Sequence, residues 1–197
     1  MQNQYFETIS LIDDMKKEEL NETLMWILDR AYWKVSLANP DFVKYLIEKG
    51  AYRPPNFINM CIEIDWIDVF EDFGCKNVNE VLNNGRTALT ESIFHGSHDI
   101  FKAVLRKGGD VNLKDSYGIS PLGYCMIFRK WEFAKELLEI GGVNVNEPFS
   151  YFGSEVTAGV IAGRSGNTDI LKMLMRFGVD ASSFIMELLQ VCERESD

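Results

Sequence analysis

The side chains that do chemistry in proteins are thinly spread in this 197-residue chain. Its two histidines, His95 and His98, stand three apart around Gly96. Only Asp99 is beside them, and no cysteine or carboxylate pair lies at ligand spacing, so a metal centre is not expected. The cysteines Cys61, Cys75, Cys125 and Cys192 form no C-x-x-C motif. Asp110 and Asn112 resemble the first two ligands of a calcium loop. However, Lys114, Asp115 and Pro121 then occupy the places of the third oxygen, the sharp-turn glycine and the closing glutamate. A phosphate loop of the form G-x-x-x-x-G-K-S/T is absent. With no nucleophile and base, no metal cluster and no paired carboxylates in view, the expectation is a protein that is not an enzyme and needs no cofactor. A thiol enzyme or redox sensor using Cys61, Cys75 or Cys125 is the chemical alternative.

Recognition is better represented than reaction. The stretch EIDWIDVFED, residues 63 to 72, carries five acids and no base. On a helix, Asp65, Asp68 and Asp72 would share one face opposite Trp66, Val69, Phe70 and Phe73. That face reads either as solvated surface or as a docking surface for a basic protein. The whole chain has 30 acidic and 20 basic side chains, a formal charge of -10. Such a charge repels nucleic acid and anionic membrane and favours a partner with a basic surface.

These residues must be positioned by a chain that repeats. GSHDIFKAVLRKGGDVN from Gly96 is echoed by RKWEFAKELLEIGGVNVN from Arg129 and GNTDILKMLMRFGVDAS from Gly166, with a fainter copy, ANPDFVKYLIEKGA, from Ala38. Gly85 and Gly118, Thr87 and Ser120, Leu89 and Leu122, Ile100 and Phe133, and Gly108 and Gly141 are all 33 residues apart. The next step is 37 residues, with additions placed around GGVNVN and PFSYFG. Ile100, Ala103, Val104 and Lys107 fall on one helical face. Gly108 supplies a left-handed stop, a role shared by Gly50, Gly74, Gly141 and Gly178. Pro121 suits a first helical turn, and small Ser92, Cys125 and Ala162 share one repeat position where helices would approach closely. Gly50 and Gly74 are only 24 apart, so one early repeat is expected to be truncated.

A period of 33 with these residues resembles the ankyrin-repeat family, in which each unit is a turn followed by two antiparallel helices. Thr87-Ala88-Leu89, Ser120-Pro121-Leu122 and Thr157-Ala158-Gly159 stand where that family has T-P-L, and Gly96 and Gly166 stand at its inter-helix glycine. The resemblance implies an all-α helical solenoid of about five repeats with short hairpin turns. Residues 1–37 would be an N-terminal helical cap and first helix, 38–82 irregular repeats, 83–183 well-matched repeats and 184–197 a capping helix, all in one domain. A helix opening at Asn21 is expected in the first of these.

The resemblance also nominates a binding face, formed by the hairpin tips and the exposed pair ending each first helix. Here those positions hold Phe94 and His95, Ile127 and Phe128, Arg164 and Ser165. The tips add Tyr117, Ile119, Phe149, Tyr151 and Phe152. Aromatic residues in place of polar ones suggest an interface core. The functional expectation is therefore a protein-binding module, monomeric when free, meeting a partner through Phe94, His95, Tyr117, Ile119, Ile127, Phe128, Tyr151, Phe152 and Arg164, with Asp65, Asp68 and Asp72 steering it. A stand-alone inhibitor of the toxin-immunity kind, or an adaptor recruiting a substrate to a larger complex, would both fit. The N-terminus reads as no secretory signal, no apolar run is long enough to span a membrane, and unpaired cysteines suit a reducing cytoplasm.

Overall fold

The computed structural model describes residues 15–33, 39–74, 77–182 and 184–185. Among these, ten helices and one two-stranded sheet make up the regular structure, an all-α fold. Two compact units are present, Met1–Lys76 and Asn77–Asp197. Cys75, Cys192 and all but the first two residues of the expected capping helix lie outside the described residues.

The first unit holds α1 (Lys17–Trp33), α2 (Pro40–Glu48), α3 (Phe57–Glu63) and α4 (Ile67–Phe73). The helix expected to open at Asn21 begins four residues earlier, where Glu18 and Glu19 complement the positive end of the helix dipole. It buries Leu20, Leu24, Ile27 and Leu28 and packs on α2. That helix is started by the Asn39 side chain, which accepts from the Asp41 N–H at 2.9 Å, and by Pro40 at its first position. Between Gly50 and Gly74 the chain fits only α3 and α4, each seven residues long, which is the physical form of the shortened repeat. Gly74 departs from expectation. Its φ is -63°, so handedness does not require glycine there; a Cβ would instead run into the Phe70 carbonyl oxygen.

The second unit is built from three helix pairs, α5 (Ala88–His95) with α6 (His98–Arg106), α7 (Pro121–Ile127) with α8 (Trp131–Ile140), and α9 (Ala158–Ser165) with α10 (Thr168–Arg176). Thr87 and Thr90 form a reciprocal capping box at α5, and Ser120 accepts from the Gly123 N–H at α7. Thr157 stands at the same place before α9 but makes no cap, and its hydroxyl is buried without a partner. On α6, Ile100, Ala103 and Val104 are fully buried, together with Phe101. Lys107 does not continue that face; it is exposed at the helix end. Ser92, Cys125 and Ala162 are fully buried at their shared position, as close helix approach demands. Gly108, Gly141 and Gly178 all have positive φ, as does Gly50 in the first unit.

The polar turns between pairs follow a two-row pattern. In one row, Asn77, Asp110, Asn144 and Asp180 accept the N–H two residues ahead, closing their own turns. In the other, each asparagine reaches the next repeat. Asn79 accepts from the Asp110 N–H at 2.8 Å, Asn112 from Asn144 at 2.8 Å and Asn146 from Asp180 at 2.7 Å. Their amides donate onward to the carbonyls of Gly108, Gly142 and Gly178. This ladder sets each turn against its neighbour. The lengthened 37-residue step is taken up by a hairpin, β1 (Phe149–Tyr151) paired antiparallel with β2 (Ser154–Val156). Phe149 is buried beneath it, with its ring so close to Gly123 that a Cβ there would lie 2.9 Å away.

Candidate protein-interaction groove

In the second unit, the turn before α7, the end of α7 and the β1–β2 hairpin enclose a groove of about 420 Å³. Tyr117, Ile119, Ile127, Phe128, Tyr151 and Phe152 line it, so six of the residues nominated from sequence meet in one place. Tyr117 is 57% exposed, Phe128 42% and Phe152 91%, so these rings face water. The remaining lining residues, Arg86, Tyr124 and Ser150, escaped the sequence reading. Arg86 carried a signal. Its position 33 residues later is Ile119, so a cation stands where the repeat next places an apolar side chain.

A buried polar network holds the groove floor. One oxygen of Asp115 accepts from the Tyr117 N–H at 2.9 Å and the Ile119 N–H at 3.0 Å, which fixes the turn. The other accepts from the Tyr124 hydroxyl at 2.6 Å. Arg86 donates through Nε to the Tyr124 oxygen at 3.1 Å and through Nη1 to Glu91 at 3.0 Å. Glu91 is itself buried and also accepts from Asn84 at 2.6 Å. Burial pushes the Tyr124 phenol well above its ordinary pKa; the Asp115 carboxylate adds to this and Arg86 opposes it. Burial works against the Arg86 cation, but its bonds to Tyr124 and Glu91 outweigh that and hold its pKa high. The Tyr117 hydroxyl donates to the Asn84 carbonyl at 2.8 Å, tying one turn to the preceding one. Lys114 donates to the Pro148 carbonyl at 3.0 Å and pairs with Glu147 at 2.6 Å, fixing the chain just before β1.

Three nominated residues of the second unit stand outside the groove. Phe94 is half-buried rather than exposed. Its ring meets Phe128 edge-on at 5.0 Å and lies 3.9 Å below the Arg86 guanidinium, so it supports the groove wall from behind. His95 is also half-buried, 3.5 Å from Glu91. Arg164 is exposed on α9 at the repeat position of Phe94 and Ile127. The two histidines turn to different carboxylates, since His98 meets Glu136 at 2.5 Å and packs on Phe133. Among the described residues, no three His, Cys, Asp or Glu side chains gather to hold a metal ion. No described helix is long and apolar enough to cross a membrane.

Residues 32–148 match the family of ankyrin repeats, in three copies, over more than half of the chain. The chain belongs to the ankyrin-repeat family. Ankyrin repeats are protein-interaction modules, and the groove lies on the hairpin side of this ankyrin-repeat protein's second unit. An ankyrin repeat-containing protein of Schizosaccharomyces pombe is 28% identical over 99 residues, which is 50% of this chain. The match spans 45% of that relative's length.

In the first unit the acidic stretch is divided. Asp68 and Asp72 are exposed on α4, with Trp66, Val69 and Phe70 buried on the other side. Asp65 does not join their helical face. It precedes α4 in a left-handed turn at φ 56°. The patch is also less naked than its sequence, since Lys44 on α2 pairs with Asp72 at 2.6 Å, a bond that holds the Lys44 pKa up. Cys61 and Cys125 are completely buried, and burial raises the Cys125 thiol far above its usual range.

Proposed function

We propose that this protein binds another protein through the aromatic groove of its second unit and that binding, not catalysis, is its function. The observation that supports this most directly is the exposure of Tyr117, Phe128 and Phe152 around one apolar groove. Free surfaces rarely keep such rings together, and aromatic anchors in a preformed depression are the usual carriers of binding energy. The turn that carries Tyr117 and Ile119 is pre-positioned by Asp115 and Tyr124, so that turn needs little ordering on association. The net charge of -10, with Asp68 and Asp72 exposed, accelerates encounter with a partner of net positive charge.

Affinity capture from the source cell with the wild type beside Tyr117→Ala and Phe152→Ala tests the reading. One protein captured by the wild type should be lost from both variants while their melting curves stay in place. Retention by both would remove the groove from the account. Whether the captured protein keeps its activity when bound separates an inhibitor of the immunity kind from a recruiting adaptor. A thiol-based activity is disfavoured by the burial of Cys61 and Cys125. Native iodoacetamide labelling mapped by mass spectrometry should leave both unmodified.

A further inference from the structure

Of the three non-glycine residues with positive φ among the described residues, Phe152 lines the groove and Arg129 directly follows the lining residue Phe128 in the chain. Phe152 and Gly153 form the two-residue tip between paired Tyr151 and Ser154, both with positive φ, at 49° and 78°. Such a type I′ tip favours Asn-Gly, so a phenylalanine almost fully in water is the wrong residue for both conformation and solvation. Arg129 follows Phe128 at φ 55°, where the equivalent positions of the neighbouring repeats are Gly96 and Gly166. It is exposed, so no packing explains it. Strain kept at two positions beside one groove points to selection for what those side chains touch outside the chain.

The one charged side chain that lines the groove is a cation, although the whole protein is acidic. Of the nine lining residues, Arg86 alone is charged at neutral pH. Of the nearby acids, Glu91 and Asp115 are buried and engaged by Arg86, Asn84, Tyr124 and the turn amides, while Glu155, across the hairpin from Ser150, is exposed. Arg86 spends Nε and Nη1 on Tyr124 and Glu91, its guanidinium lies over the Phe94 ring, and its side chain keeps 22% of its surface exposed. Arg129 adds an exposed cation next to Phe128. Bulky apolar walls with the Arg86 guanidinium at the floor, and an exposed arginine next in the chain to Phe128, suit an apolar side chain followed or preceded by a carboxylate.

We propose that the groove receives an extended segment of the partner in which an aromatic or long aliphatic side chain is flanked by Asp or Glu, the ring seated among Tyr117, Phe128, Tyr151 and Phe152 and the carboxylates met by Arg86 and Arg129. This rests on the groove being the binding site. It is compatible with a partner of net positive charge, because steering acts over the whole surface and the groove acts only on contact.

The experiment is selection of twelve-residue random peptides displayed on phage against the immobilised full chain. Enriched peptides are then titrated by fluorescence polarisation into the wild type and the Phe152→Asn, Arg129→Gly and Arg129→Glu variants. The chain's charge favours nonspecific basic peptides, so enrichment of acids runs against bulk electrostatics. Expected are peptides with an apolar residue beside Asp or Glu, weakened about tenfold or more by Phe152→Asn and by Arg129→Glu, and less by Arg129→Gly. Phe152→Asn and Arg129→Gly should melt no lower than the wild type, since both relieve a left-handed residue. Peptides lost with Phe152→Asn but lacking acids and indifferent to Arg129 would overturn this inference and leave the groove standing. Peptides indifferent to Phe152, or no enrichment at all, would overturn the groove as well.

Discussion

The Tyr124 hydroxyl donates to the Asp115 carboxylate at 2.6 Å, and both groups are buried under the groove. Because Asp115 also holds the amides of Tyr117 and Ile119, this one bond links the α7 helix to the turn that carries two groove residues. Tyr124→Phe removes the donor and leaves Asp115 and Arg86 each short of a partner in a poorly solvated place. A loss of about 1–3 kcal/mol in urea unfolding is expected, the cost of stranding buried polar groups. The same variant should also loosen Tyr117, seen as faster amide exchange in that turn.

Alkaline pH should destabilise the protein in two steps. Tyr124 and Cys125 are both held protonated by burial, so their folded pKa values lie above the unfolded ones. Their contribution is then fully present below the unfolded pKa and is lost as pH rises, because the unfolded chain releases protons the folded one keeps. Melting temperature should begin to fall above about pH 8.5 for the thiol and more steeply above about pH 10 for the phenol. In a variant combining Tyr124→Phe with Cys125→Ala, the decline over that window should flatten.

Asn112→Ala should destabilise the second unit although the side chain is exposed. Its amide accepts from the Asn144 N–H at 2.8 Å and donates to the Gly142 carbonyl at 2.7 Å. Loss of both bonds is expected to cost about 1 kcal/mol, since solvent competes at the surface. Asn112→Asp keeps the acceptor and loses the donor. It should fall between alanine and wild type in the same urea titration.

The repeat was legible because its markers are local. Thr87 and Ser120 cap helices, Gly108 and Gly141 end them, and Ser92 and Cys125 fill tight positions, all at a spacing of 33. Tyr117, Phe128 and Phe152 could be nominated because aromatic side chains stand where repeat tips are ordinarily polar. Phe94 belonged to the same pattern, but nothing in the sequence reveals that Arg86 lies over its ring and that it is only half-exposed. Asp65 was misplaced for a different reason. Helical periodicity is blind to the left-handed turn that starts α4 two residues later. The Arg86–Glu91–Tyr124–Asp115 network crosses two repeats, joining residues up to 38 apart, and local patterns carry no trace of such pairing. Arg86 could still have been flagged as a cation at a position that Ile119 fills in the next unit.

Amide hydrogen exchange of the free protein and of its complex with the captured partner, read peptide by peptide, tests the central claim most directly. The groove account predicts protection concentrated in residues 115–119, 126–130 and 149–156, with α6, α8 and α10 unchanged. Protection that spares those three segments and falls on other surfaces would contradict it.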